Sequence, residues 1–154
     1  MAKITAEMKE LVQRMRLCFA ATTDPEGKPN LSPKGSIVVL DDEHLAFCDI
    51  DSPNTIRNLR SNPHIEINVV DPVLRKGYRF KGRAELVHKG PTYDQVAEGF
   101  WEREGKQYPV NTVVKITVEM AVPVLSPAYT FNPGISEEQV RKVWMQRYGY
   151  GGQD

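Results

Sequence analysis

Val114, Ile116, Val118, Met120, Val122 and Val124 occupy every second position of one run, the longest alternation in the chain. Side chains along a strand point to opposite faces in turn, so the pattern predicts one long strand with a single buried face. Such a strand needs neighbours. The sequence provides further strand-like runs at Leu17–Thr23, Leu31–Leu40, His44–Ile50, Ile65–Val69 and Tyr78–His88. In the last of these, Tyr78, Phe80, Ala84 and Leu86 share one face, and Arg79, Lys81, Arg83 and Glu85 share the other. Gly82 marks a bulge there. Pro33 and Gly35 inside Leu31–Leu40 indicate an edge, a bulge or a close ligand approach.

Helical signals separate these runs. Thr5 caps a helix to about Met15, whose Met8, Leu11, Val12 and Met15 form one stripe. Pro53–Ser61 is a short helix stopped at Asn62-Pro63, because proline disfavours a helical residue before it. Thr92-Tyr93-Asp94-Gln95 and Ser136-Glu137-Glu138-Gln139 read as capping boxes. The first opens a helix with Tyr93, Val96, Ala97 and Phe100 as its core stripe. The second opens a helix to about Arg147, and the tail Gly149-Tyr150-Gly151-Gly152 is flexible in character. Ser126-Pro127 closes the long strand. The order predicts one domain over residues 1–154: a six-stranded antiparallel barrel, mainly β, with helices outside it and over one end.

Lys plus Arg and Asp plus Glu are 20 each, a balance that argues against a dedicated nucleic-acid binder. Cys18 and Cys48 each sit in an apolar run and read as free buried thiols. His44, His64 and His88 have no ligand spacing near them, so no metal is expected. The start of the chain has no signal-peptide apolar core, and no segment approaches the ~20 apolar residues of a membrane span. A cytoplasmic protein is the expectation.

One stretch has the makings of an anion site. Ser52 is an N-cap candidate and Pro53 fits the first helical position. The free amides of that turn can face a phosphate, with Asn54 and Thr55 adding donors and Arg57 and Arg60 adding charge. Lys34 and Ser36 share one face of the earlier strand. No dinucleotide fingerprint, phosphate loop or nucleophile elbow is present, so any chemistry falls to a cofactor.

Three segments recur in a telling order: Leu31-Ser32-Pro33-Lys34-Gly35-Ser36, then Ser52-Pro53-Asn54-Thr55-Ile56-Arg57-Asn58-Leu59-Arg60-Ser61-Asn62-Pro63, then Arg79-Phe80-Lys81-Gly82-Arg83-Ala84. Together they resemble the pyridoxamine 5′-phosphate oxidase-like family of FMN-binding split barrels, over roughly residues 5–125. The resemblance implies a homodimer with two FMN sites at the subunit interface. It implies that Lys34, Gly35, Ser36 and Ile37 line the flavin ring. Ser52, Asn54 and Thr55, supported by Arg57, would hold the phosphate, and Arg79 and Lys81 would lie near flavin or phosphate.

Two departures qualify what the resemblance implies. Asn54 and Thr55 stand where many members carry a lysine or arginine, and no Arg-x-His occurs between Ala128 and Asp154. The expected function is therefore a flavin-dependent oxidoreductase of unassigned substrate, not a true pyridoxamine phosphate oxidase. The alternatives are a flavin store or sensor without turnover, or a relative that binds a deazaflavin or haem. Haem would call on His44, His64 or His88 as axial ligand.

Overall fold

The computed structural model describes residues 3–151. Helix α1 (Ala6–Met15) opens at Thr5, whose hydroxyl accepts the Met8 amide at 3.3 Å. Its Leu11 and Val12 are buried, and Met8 and Met15 pack beside them, as the stripe predicts. The remaining elements are β1 (Cys18–Thr23), β2 (Pro29–Lys34), β3 (Val38–Val39), β4 (His44–Asp49), α2 (Pro53–Ser61), β5 (His64–Asp71), β6 (Lys76–Val87), α3 (Pro91–Glu104), β7 (Thr112–Leu125), α4 (Pro127–Phe131) and α5 (Glu137–Arg147).

All pairings are antiparallel, and the sheet order is β2-β1-β5-β6-β7-β4-β3. β2 and β3 lie at the two edges of this sheet, yet only Gly35, Ser36 and Ile37 separate them in the chain. The chain itself therefore curls the sheet into a split barrel. The expected single strand Leu31–Leu40 serves both edges: its first half pairs with β1 and its second half with β4. That division gives seven strands where six are expected. At the bend Ser36 substitutes for the ladder, accepting the Cys48 amide at 2.9 Å and donating to the Cys48 carbonyl at 3.4 Å.

The register shift between Lys81 and Gly82 confirms the bulge. Lys81 pairs with Met120 and Gly82 with Val118, so Glu119 is the extra residue. A Cβ at Gly82 would lie 2.1 Å from the Thr117 carbonyl oxygen, which explains the glycine. The bulge also corrects the expectation for the long run. Ile116 and Val118 are buried, but beyond Glu119 the face reverses, and Met120 is 50% exposed.

Phe47, Phe80, Leu45, Ile67, Ile116 and Val118 fill the barrel. Each such side chain contributes about 1.5–3 kcal/mol. A second cluster lies outside, where Val96, Ala97 and Phe100 of α3 cover Ala46 and Cys48 of β4 and Val113 of β7. The capping box expected at Thr92 does not form. Gly90, at φ 99°, takes the N-cap and Pro91 begins the helix, which leaves Thr92 inside the first turn. The box at Ser136 does form: its hydroxyl accepts the Gln139 amide at 3.1 Å, and Gln139 Oε1 accepts the Ser136 amide at 2.8 Å. After Gly149, at φ 77°, the Tyr150 amide returns to the Met145 carbonyl at 2.9 Å. Gly152, also in the expected flexible tail, lies outside the described residues. Among the described residues, no helix is long and apolar enough to cross a membrane.

Candidate functional site

Pro53 has no N–H to lose and a φ suited to a helix start, so α2 begins there. Ser52 occupies the N-cap as expected, but its side chain makes no cap. It turns to Asp49 instead: the Ser52 amide and hydroxyl both donate to Asp49 Oδ1, at 3.1 and 2.7 Å. No acidic residue lies in the first turn of α2. The Asn54 and Thr55 amides, orphaned at any helix start, take no partner among the described hydrogen bonds. Arg57 donates to Asn54 Oδ1 at 3.1 Å, which draws its guanidinium back toward that start. Asn58 donates to Thr22 Oγ1 at 3.0 Å and fixes the helix to β1.

Lys34 ends β2 at the barrel's bend and is only 8% exposed. Its ammonium lies 5.7 Å from the centre of the Phe47 ring, and among the described residues it has no hydrogen-bond or ion-pair partner. Burial lowers its pKa from the ordinary lysine value, against the opposing charges of Asp49, Cys18 and Asp51. Lys34, Gly35 and Ser36 line a cavity of about 370 Å³, which Asp51, Cys48, Phe100 and Tyr108 help to close. Small-molecule pockets of roughly 300–1,000 Å³ span this size. A Cβ at Gly35 would meet only the Arg16 carbonyl, at 3.8 Å. Glycine there keeps the wall open and relieves no clash.

The other sequence-predicted residues are placed differently. The Ile37 side chain enters the barrel core. Thr55 is fully buried, backbone included, and its hydroxyl accepts from Asn30 at 3.4 Å. Arg79 and Lys81 lie on the outer face of the sheet and pair with Glu66, at 2.8 and 3.6 Å. Lys81 lines a separate cavity with Thr22, Glu66 and Glu119. No described contact within the chain joins this pair to the start of α2.

Sequence reasoning did not select Asp49, Asp51, Glu104 or Tyr108, and it assigned Phe100 to the core. Asp49 had a signal, since a short polar side chain three residues before a cap serine can bond the intervening backbone. Phe100 and Tyr108 meet edge to face, with ring centres 6.0 Å apart, and no local motif announces them. Both thiols are free and buried as expected. Burial pushes Cys18 up to about 12 and Cys48 up to about 11, so neither is a nucleophile near neutral pH.

The exposed Asn54 turn, Arg57 bonded to it and a buried lysine have the donor chemistry that the phosphate and ring of a flavin mononucleotide call for. The fold defines a split-barrel protein in which the serine at the start of α2 makes no side-chain cap. A family model described as pyridoxamine 5′-phosphate oxidase matches residues 4–125. The chain belongs to that family. HupZ of Group A Streptococcus is 34% identical, with a TM-score of 0.72, over 80% of this chain and 95% of that one. Two more distant structures share the fold. An FMN-binding protein of Syntrophomonas wolfei is 14% identical, with a TM-score of 0.69, over 77% of this chain and 84% of that one. HutZ, a haem storage protein of Vibrio cholerae, is 22% identical, with a TM-score of 0.63, over 81% of this chain and 95% of that one. No curated protein matches the chain.

Proposed function

We propose that the chain binds FMN with its ring at the cavity lined by Lys34, Gly35 and Ser36 and its phosphate at the start of α2, and serves as a flavin-dependent oxidoreductase. The observation that carries this reading is a buried lysine, without a hydrogen-bond or ion-pair partner among the described residues, lining a cavity of ligand size. The Asn54 amide and the Arg57 guanidinium take the phosphate, and Ser52 shapes the mouth of that turn. The Lys34–Ile37 segment runs along the ring, and the Lys34 charge favours the electron-rich form of the ring system. The bound flavin supplies the hydride or electron transfer.

A homodimer completes this reading. Leu31, Ala21, Glu66, Lys81 and Met120 stand opposite one another across the sheet's outer face. Leu31 is 66% exposed, and Phe19 lies one row away at 41%. A second copy packed on this face buries these apolar groups and carries Arg79 and Lys81 toward the other chain's cofactor. Among the described residues, none of His44, His64 or His88 lines the Lys34 cavity, which favours flavin over haem.

An absorption spectrum of freshly purified protein, with mass spectrometry of the ligand released on heating, tests the cofactor. Twin flavin bands and released FMN are expected. A colourless protein that does not quench added FMN fluorescence contradicts it. With FMN bound, turnover of NAD(P)H and a small acceptor separates an enzyme from a flavin store, and sedimentation tests the dimer.

A further inference from the structure

The loop after α3 is fastened along its backbone, and one of its side chains is left over. Trp101 Nε1 donates to the Tyr108 carbonyl at 2.8 Å, and the Tyr93 hydroxyl donates to the Val110 carbonyl at 2.7 Å. Pro109, between the two held residues, narrows the backbone freedom of Tyr108. Two aromatic donors of one helix thus fix the chain on either side of the proline. The Tyr108 side chain takes no part in this. It is 43% exposed, and its hydroxyl has no hydrogen-bond partner among the described residues. The ring meets Phe100 edge to face, with the planes at 65°, and stands in the wall of the Lys34 cavity.

Core packing does not account for this tyrosine. The cluster that α3 builds on β4 and β7 holds Phe100, Tyr93 and Trp101, and Tyr108 is outside it. A tyrosine on a held backbone is a rigid contact surface, with little conformational entropy left to lose on binding. The cavity has a second feature that suits a flat occupant. At Gly35 no side chain intrudes, so a ring can lie close to the backbone there. One bare wall and one aromatic wall fit a planar group better than a branched or globular one.

We propose that Tyr108 is the stacking residue of the Lys34 cavity, its ring covering a flat aromatic ligand seated against Gly35. The inference rests on the FMN reading for the identity of that ligand, and it adds a residue that touches the flavin ring. Aromatic contact strengthens binding. The phenol also leaves a spectroscopic mark. Tyrosine in contact with an excited flavin quenches it, by lending an electron that returns at once. Phenylalanine stacks without quenching in this way, and leucine does neither.

The test is FMN titration of the ligand-free protein, with the emission of the bound flavin recorded, for the wild type, Tyr108→Phe and Tyr108→Leu. Tyr108→Leu should weaken FMN about tenfold (about 1.4 kcal/mol), and Tyr108→Phe should stay within about twofold of the wild type. Bound-flavin emission should rise in both variants. A ring that merely covers Phe100 would alter stability and leave that emission unchanged. Equal FMN affinity in the wild type and Tyr108→Leu, or unchanged emission in both variants, overturns the proposal and leaves the FMN reading standing. A wild type that binds no FMN overturns both. If Tyr108→Leu does not fold, the emission of Tyr108→Phe decides alone: a rise upholds the stacking contact, and no rise overturns it.

Discussion

Two cavities of nearly equal size differ in how their polar groups are used. The one beside Lys34 measures about 370 Å³, and the one between α1 and the β5–β6 hairpin about 390 Å³. In the hairpin cavity the charges are matched. Arg14 meets Asp71 at 2.6 Å and Glu10 at 3.4 Å, Lys76 pairs with Glu137, and the Tyr78 hydroxyl donates to Glu7 at 3.4 Å. Asp71 also accepts the Val73 and Leu74 amides, at 2.8 and 3.0 Å. Even Arg75, whose Nε is buried without a partner, lays its guanidinium 3.3 Å from the centre of the Trp144 ring. In the other cavity the buried Lys34 ammonium has no hydrogen-bond or ion-pair partner among the described residues. Volume does not separate these regions; unmatched polarity does. The hairpin end holds the C-terminal arm to the barrel, and the proposed FMN site uses the polar groups left over at the other end.

The sharpest way to break this comparison is to remove a matched group. Asp71→Ala should destabilise the chain by about 2–4 kcal/mol, since two amides and Arg14 lose a charged acceptor, while FMN affinity stays the same. Denaturant unfolding and flavin titration read the two effects. Burial raises the Asp71 carboxyl, but Arg14 and the Leu74 and Val73 amides outweigh it and hold its pKa below the ordinary value. Its stabilisation is therefore complete above the unfolded value of ~3.9 and fades as pH falls through the lower folded value. Asp71→Ala should lose that acid limb.

The reverse pattern belongs to the open end. Arg57→Ala should weaken FMN by about 1.5–3 kcal/mol with little change in stability, because Arg57 is exposed and, among the described residues, bonds only Asn54. An unchanged dissociation constant removes Arg57 from the site. Lys34→Met should go further and change the two quantities in opposite senses. It should stabilise the ligand-free fold by about 1–2 kcal/mol, by replacing a buried unpaired charge, and weaken FMN. Because the Lys34 pKa is lowered in the fold, its charge is lost on the way up to the usual ~10.4. Wild-type FMN affinity should therefore fall through that alkaline window, and the variant's should not. The smallest effect is expected at Trp144→Ala, about 0.5–1 kcal/mol of stability from the Arg75 stack, with no change in flavin binding.

Much of the barrel was legible because alternation and turn chemistry act locally. Pro53–Ser61 begins and ends where Pro53 and Pro63 dictate, and the Gly82 bulge follows from a glycine inside an alternating strand. What was not legible depends on distant groups. The bend at Gly35–Ile37 exists because one segment must bond both β1 and β4, and no local pattern encodes a segment shared between two edges. The reversal at Met120 needs the extra residue Glu119, which shows only in the register against Lys81. At the site, the α2 motif and Lys34 were readable. Phe100 and Tyr108 reach the cavity only through the packing of α3 on β4. Ser52 had the right place but an unforeseen partner, because the serine's choice between its own helix and Asp49 is decided by tertiary geometry.

The most direct test of an open helix start as a phosphate site is a parallel titration of the ligand-free protein with FMN and with riboflavin, which lacks only the phosphate. The Asn54 amide and Arg57 on that phosphate predict that FMN binds about a hundredfold more tightly or better. Equal affinities for the two flavins would contradict the account, since nothing at the start of α2 would then be holding a phosphate.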